Sequence, residues 1–329
     1  MTELIKKLMK TGSVSGREAK ISEIIKKETE PYADEIYTDN LGNLYAHKKG
    51  DGKKLMLAAH MDEIGFFVTN IKESGLVEIA PVGGINYISA AYSCVSFENG
   101  VRGVIVPEGG VSGNDLKNGE KYYIDIGTSS RKQSEKKINI GDFAVCEASL
   151  TRLYGRRYAG RPFDDRIGCA VLIKCLENLK SCKNDVYFVF TVQEEVGCRG
   201  SLPAAYNVRP DVAIAVDVTA TGDVPGAKSM AVKLGGGAAI KIRDNSVICD
   251  YELVEDLKSL AKEKNIKHQL EYLPFGGTDT GSIQRSAQGA IAGAVSIPTR
   301  YIHSSVEMID MADVDACVKL LGEFIRKPL

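Results

Sequence analysis

The spacing of apolar residues changes character twice along the chain. Residues 2–32 read as helical, beginning with Leu4, Ile5, Leu8 and Met9 on one face of a short amphipathic helix. Two extended pieces follow, EIYTDNLGNLYAHKKG and KKLMLAAHMDEIGFFV, with a turn at residues 40–43 of the first, and they predict adjoining strands. From about residue 67 to residue 158 the pattern becomes short alternating runs closed by Gly and Asn: LVEIAPVGG, CVSFENGVRGVIVPEGG, YYIDIG and KINIGDFAVCEASL. That texture predicts a small antiparallel barrel.

After Gly160 helices alternate with buried strands. Residues 167–179 are apolar at helical spacing, and DVYFVFTV, DVAIAVDV and GAIAGAVSIP are continuous β-rich runs. Residues 252–265 and 312–326 read as further helices. The pattern therefore predicts a discontinuous α/β domain, residues 1–66 and 159–329, interrupted by a β-barrel domain over residues 67–158. No internal repeat or low-complexity segment is visible.

Composition narrows the function classes. Lys+Arg of 42 against Asp+Glu of 43 gives a net charge of −1, with no basic stripe for nucleic acid or an anionic membrane. No run approaches a membrane span, and the polar start lacks the apolar core of a signal peptide. The eight cysteines stand singly in apolar stretches without a C-x-x-C pair, as reduced cysteines of a cytoplasmic protein would.

Candidate chemistry sits at the ends of the strand signals. KKLMLAA runs into His60, VYFVFTVQ into Glu194 and Glu195, VAIAV into Asp217, and GAVSIP precedes His303. Ligands gather at the carboxyl ends of parallel strands, so these endings would meet in one crevice. Asp164 and Asp165, in GRPFDDRIGCA, open the helix that begins near Arg166, so at least one can point there too. Each residue alone has an ordinary reading: a helix cap, a strand terminus, a satisfied polar side chain. Together, two imidazoles and three carboxylates without a thiolate suit two divalent ions, Zn²⁺, Co²⁺ or Mn²⁺. Asp62 lies two residues after His60 and faces the same way in an extended segment, where it can orient the imidazole.

HMDEIG, RPFDDRIG, TVQEEVGCRG, AVDVT and FGGTDTGSI with YIHSSVE resemble, in order and spacing, the tetrahedral di-metal aminopeptidases. The resemblance spans nearly the full chain. It implies a mixed-sheet, phosphorylase/hydrolase-like peptidase domain with helices on both faces, an inserted barrel used in dimer contacts, and a hollow tetrahedral dodecamer. It further implies that His60 and Asp217 hold one metal, Glu195 and His303 the other, and that Asp165 bridges them. The choice of Asp165 over Asp164 rests on the resemblance alone. Glu194 would be the general acid/base, Asp62 the partner of His60, and short peptides with a free N-terminus the substrates. GGTDTG would line the substrate side, although its ordinary reading is a Gly-rich turn. LGGGAAIKIRD lacks the pattern of a phosphate loop and reads as a wall of the pocket.

Three rival readings compete. A glycosidase would leave both histidines idle and would lack any Trp as a stacking platform. A carboxypeptidase or deacylase would need a cation for a substrate carboxylate. A scaffold held by metals would not need Glu194.

Overall fold

The computed structural model describes residues 1–109 and 121–329. Two helices, α1 (Thr2–Met9) and α2 (Ala19–Thr29), precede the hairpin β1 (Glu35–Thr38) and β2 (Leu44–Lys48). β3 (Lys54–His60), β12 (Asp185–Thr191), β13 (Val212–Thr219) and β16 (Ile291–Arg300) are the central strands. They pair in the order β12, β3, β13, β16, all parallel. On one side β2 joins β12 antiparallel; on the other β16 continues to β17 (Glu307–Asp310), β11 (Arg157–Arg161) and β10 (Ser149–Arg152).

Helices cover both faces, and the period of two along β3 explains how. Leu55, Leu57 and Ala59 pack with α5 (Arg166–Glu177) and α9 (Met311–Arg326), while Met56 and Ala58 pack with α6 (Ser201–Val208) and α8 (Asp279–Gln284). A strand buried on both faces must be apolar throughout, which is why these segments read as unbroken runs. Among the described residues no helix is long and apolar enough to cross a membrane.

Between β3 and β10 the chain closes a six-stranded antiparallel barrel in the order β4 (Gly65–Ile71), β5 (Val77–Val82), β8 (Tyr122–Asp125), β7 (Arg102–Pro107), β6 (Cys94–Phe97) and β9 (Phe143–Cys146). It has its own core, built on Phe66, Val95, Ile105 and Ile124. β10, inside the range expected for the insertion, pairs with β11 in the main sheet instead. Short alternating strands have the same texture in either place, so the pattern alone does not locate that crossing. Part of the PEGG run and the residues up to 120 lie outside the described residues.

LGGGAAIKIRD is corrected by the structure from a pocket wall to a strand. β14 (Ala238–Arg243) pairs with β16 and with β15 (His268–Tyr272). The glycines before it serve close approach. Asp313 accepts the backbone N–H groups of Gly235 and Gly237, and a Cβ on Gly237, at φ +91°, would stand 2.1 Å from the Lys267 carbonyl. All eight cysteines are free; five are buried, while Cys94 is exposed and Cys182 and Cys198 are half-buried.

Candidate metal centre

Strand register brings the first ligands level. Thr191 at the end of β12 is the partner of His60 at the end of β3. The last pair between β13 and β3 is Ala215 with Ala58, so Asp217, two residues on, lies beside His60, its Oδ1 3.8 Å from the imidazole Nε2. Past β12 the chain turns through Gln193, at φ +56°, to present Glu194 and Glu195. Past β16 it turns through Tyr301 and His303, at φ +63° and +61°. Left-handed non-glycine residues are uncommon, and their clustering here marks a backbone held by its surroundings.

Asp164 is the carboxylate that touches both imidazoles. Its Oδ1 lies 3.1 Å from His60 Nε2 and its Oδ2 3.2 Å from His303 Nε2, while His303 Nε2 also lies 3.1 Å from Glu195 Oε2. Asp165 is spent differently: it is the N-cap of α5, accepting from Gly168 N at 3.1 Å, and its other oxygen accepts from His60 N at 3.3 Å. It still has an oxygen within 4.8 Å of ligand atoms of His60 and Asp217.

Asp62 does more than sequence spacing suggests. Its Oδ1 is 3.5 Å from His60 Nδ1, which also meets the Asp62 carbonyl at 3.1 Å. The same carboxylate accepts the backbone N–H groups of both Glu194 and Glu195, at 3.1 and 3.2 Å, and the Ser15 hydroxyl at 2.7 Å. One buried side chain thus fixes a histidine and the turn carrying two glutamates.

Several contributors were not singled out in the sequence. Glu18 accepts the N–H of Gln193 and so holds the β12 turn; burial, then Asp62, pushes its carboxyl up to about 7. Glu307 accepts the backbone N–H groups of Phe163 and Asp164, and burial pushes it up to about 7 against the pull of Arg161. Asp279 accepts the Thr191 hydroxyl at 2.6 Å. Gly83 and Gly84, just past β5, press against the centre: a Cβ on Gly84 would stand 3.1 Å from His303 Nδ1, and one on Gly83 3.2 Å from the Glu195 side chain. Only Glu307, inside YIHSSVE, and Asp279, inside FGGTDTGSI, lie within a motif.

The electrostatics fit cations. Burial opposes the charge on His60, yet Asp164, Asp62, Glu194 and Asp217 outweigh it and raise its pKa well above the ordinary imidazole value. Burial also opposes charge on His303, but Glu195 and Asp164 raise it to about 11. Burial and neighbouring acids push Asp217 up to about 7 and hold Glu194 well above its usual range, despite the opposing pull of His60. Six carboxylates, Asp62, Asp164, Asp165, Glu194, Glu195 and Asp217, crowd two imidazoles, and the buried Oε1 of Glu195 has no hydrogen-bond partner. Buried carboxylates need paired charge, and this oxygen- and imidazole-rich set fits divalent metal ions. Beside it opens a pocket of about 410 Å³ with an apolar wall of Val218, Leu273, Phe275 and Ile302 and an edge of Gly276, Gly277 and Thr278.

The family model for M42 glutamyl aminopeptidase matches residues 42–320. The chain belongs to this family. It is a metal-dependent aminopeptidase, a hydrolase acting on peptide bonds, and the family implies divalent metal ions. This M42 chain is 49% identical to a proposed aminopeptidase of Acetivibrio thermocellus over 327 residues, covering 99% of this chain and 98% of that protein. The M42 fold superposes on an aminopeptidase of the archaeon Desulfurococcus kamchatkensis with a TM-score of 0.95, at 38% identity over 99% of this chain and 94% of that one. It also resembles the TET1 peptidase of Pyrococcus horikoshii, which can assemble into a tetrahedron or a large octahedral shell, with a TM-score of 0.88 and 32% identity over 99% of both chains.

Proposed function

We propose that this chain removes the N-terminal residue from short peptides with two divalent ions and Glu194 as general acid/base. The observation that carries the reading is the convergence of His60, Asp164, Glu194, Asp217 and His303 on one pocket, with Glu195 against His303. His60 and Asp217 would hold one ion, Glu195 and His303 the other. When bound, such a pair supplies an acidified water and polarises the scissile carbonyl. Glu194 takes the proton of the attacking water on its carboxylate and passes it to the leaving amine. Burial first, and then Asp217, Asp279 and Glu195, raise its pKa above the usual carboxylate range, which favours holding the proton in transit. Asp62 keeps Glu194 and Glu195 in fixed relative positions through their backbone N–H groups.

We assign the shared position to Asp164, in place of the Asp165 that the motif resemblance favoured. Supporting this, Asp164 faces both imidazoles, whereas Asp165 is engaged by backbone N–H groups. Asp164→Asn is therefore expected to lower metal content measured by elemental analysis, and Asp165→Asn to retain most of it, since Asn also caps helices. The reverse pattern would return the bridging role to Asp165.

The free amine of the substrate is expected to lie against the carboxylate cluster, which restricts cleavage to the first residue. Leu-amide should be hydrolysed, and acetyl-Leu-amide at least about 10²-fold more slowly, since the capped amine leaves buried carboxylates unpaired. Equal rates would favour a deacylase or endopeptidase. A glycosidase is disfavoured by the placing of the acids, which meet around two imidazoles rather than flanking a sugar-sized gap. The barrel is proposed as the dimer-forming part of a homo-oligomer of twelve subunits working in the cytoplasm; the shells of the TET1 peptidase support the homo-oligomer.

A further inference from the structure

The pocket at the metal centre is not the end of the cleft. A second hollow, about 320 Å³, opens beside it, walled by Val224, Ala227, Met230 and Tyr301. The two share Ala220 and Phe275, so they adjoin at the Phe275 ring. None of His60, Asp164, Glu194, Asp217 and His303, which border the first pocket, borders the second.

The second hollow is apolar although two cations stand in its wall. The Arg300 guanidinium is turned to Asp223, donating from Nε at 3.2 Å and from Nη2 at 2.6 Å. Lys228 lies over the outer ring of Phe275, with Nζ 4.6 Å from the centroid. With both charges engaged, the remaining surface is mostly carbon.

We infer that this hollow receives the side chain of the second residue of the peptide, and that it selects an apolar one. The inference rests on the aminopeptidase reading and follows from chain direction. The substrate's amine and scissile carbonyl are both held at the centre, so the first side chain, which branches between them, must enter the pocket that touches it. The second residue begins at the leaving nitrogen, one Cα step of about 3.8 Å further on. A hollow that adjoins the first pocket on the side away from the ligands stands where that side chain would extend. Met230 gives the wall a flexible, polarizable side chain, which suits several apolar shapes better than one.

The test uses peptides with a constant first residue: Leu-Gly-Gly, Leu-Leu-Gly, Leu-Phe-Gly and Leu-Asp-Gly, with Leu-amide as the reference that has nothing downstream. The metal-loaded enzyme is expected to show kcat/KM about 10-fold or more higher for Leu-Leu-Gly than for Leu-Gly-Gly, the usual gain from filling an apolar pocket. Val224→Asp and, separately, Met230→Asp should collapse that ratio toward one. Turnover of Leu-amide with no effect of the second residue would overturn this inference alone. A changed ranking of Leu-amide, Met-amide and Phe-amide in the two variants would overturn it in favour of a deep first-residue pocket. Failure to hydrolyse Leu-amide at all would strike the aminopeptidase reading itself, and this inference with it.

Discussion

Removing divalent metal is expected to abolish peptide hydrolysis, and adding Co²⁺ or Zn²⁺ to the stripped protein to restore it. The ligands proposed for the ions are oxygens and imidazoles that crowd one another, with Asp164 against both imidazoles and Glu195 against His303. The loss should depend on pH in a defined direction. His303 is raised to about 11 and His60 well above the ordinary imidazole value, so both carry a proton near neutrality unless a metal displaces it. Metal and proton compete for the same nitrogen, hence apparent metal affinity falls as pH falls. Dialysis at pH 5.5 should strip the ions more completely than dialysis at pH 8, as read by elemental analysis, with activity lost in parallel. Full activity in a preparation verified as metal-free would remove the metal mechanism.

Glu194→Gln is expected to reduce kcat by about 10²- to 10⁴-fold, the usual weight of a general acid/base, while metal content stays near that of the parent. Glutamine keeps the size and one accepting oxygen but cannot take the proton. The neighbouring change should behave differently. Glu195 Oε2 faces His303, and its Oε1 is buried without a partner, the geometry of a side chain awaiting a cation. Glu195→Gln should therefore lose metal, and excess metal should recover part of its activity. Adjacent residues at a strand end point in different directions, so one can bind while the other moves a proton. Loss of metal from Glu194→Gln, or full metal in a slow Glu195→Gln, would reverse the two roles. Cys198 donates to Glu194 Oε1 at 3.1 Å, so the glutamine variant is best read beside Cys198→Ser, which keeps a donor there.

Much of the fold was legible because its strands are buried on both faces. Lys54–His60, Asp185–Thr191, Val212–Thr219 and Ile291–Arg300 have few polar positions, and each stops where chemistry begins. That combination, an apolar run ending in a carboxylate or histidine, is a local signal, and so His60, Glu194, Glu195, Asp217 and His303 could be nominated as a group. The barrel was legible for a related reason: its strands alternate because one face meets a core and the other does not.

What only the tertiary structure decided depends on direction and distance between segments far apart in the chain. Asp164 and Asp165 are adjacent and chemically identical, and sequence carries no signal for which one meets two histidines 104 and 139 residues away and which caps α5. Glu18, Ser15 and Gly84 act on the centre through a backbone N–H, a hydroxyl contact and the want of a Cβ, none of which leaves a pattern in composition or spacing. The strand at Ala238–Arg243 was missed because its glycines announce a loop, while their purpose is to let Lys267 and Asp313 approach the backbone. Local periodicity fixes which face of an element is buried; which polar groups then share a crevice is set by register and crossing geometry, which exist only once the strands have paired.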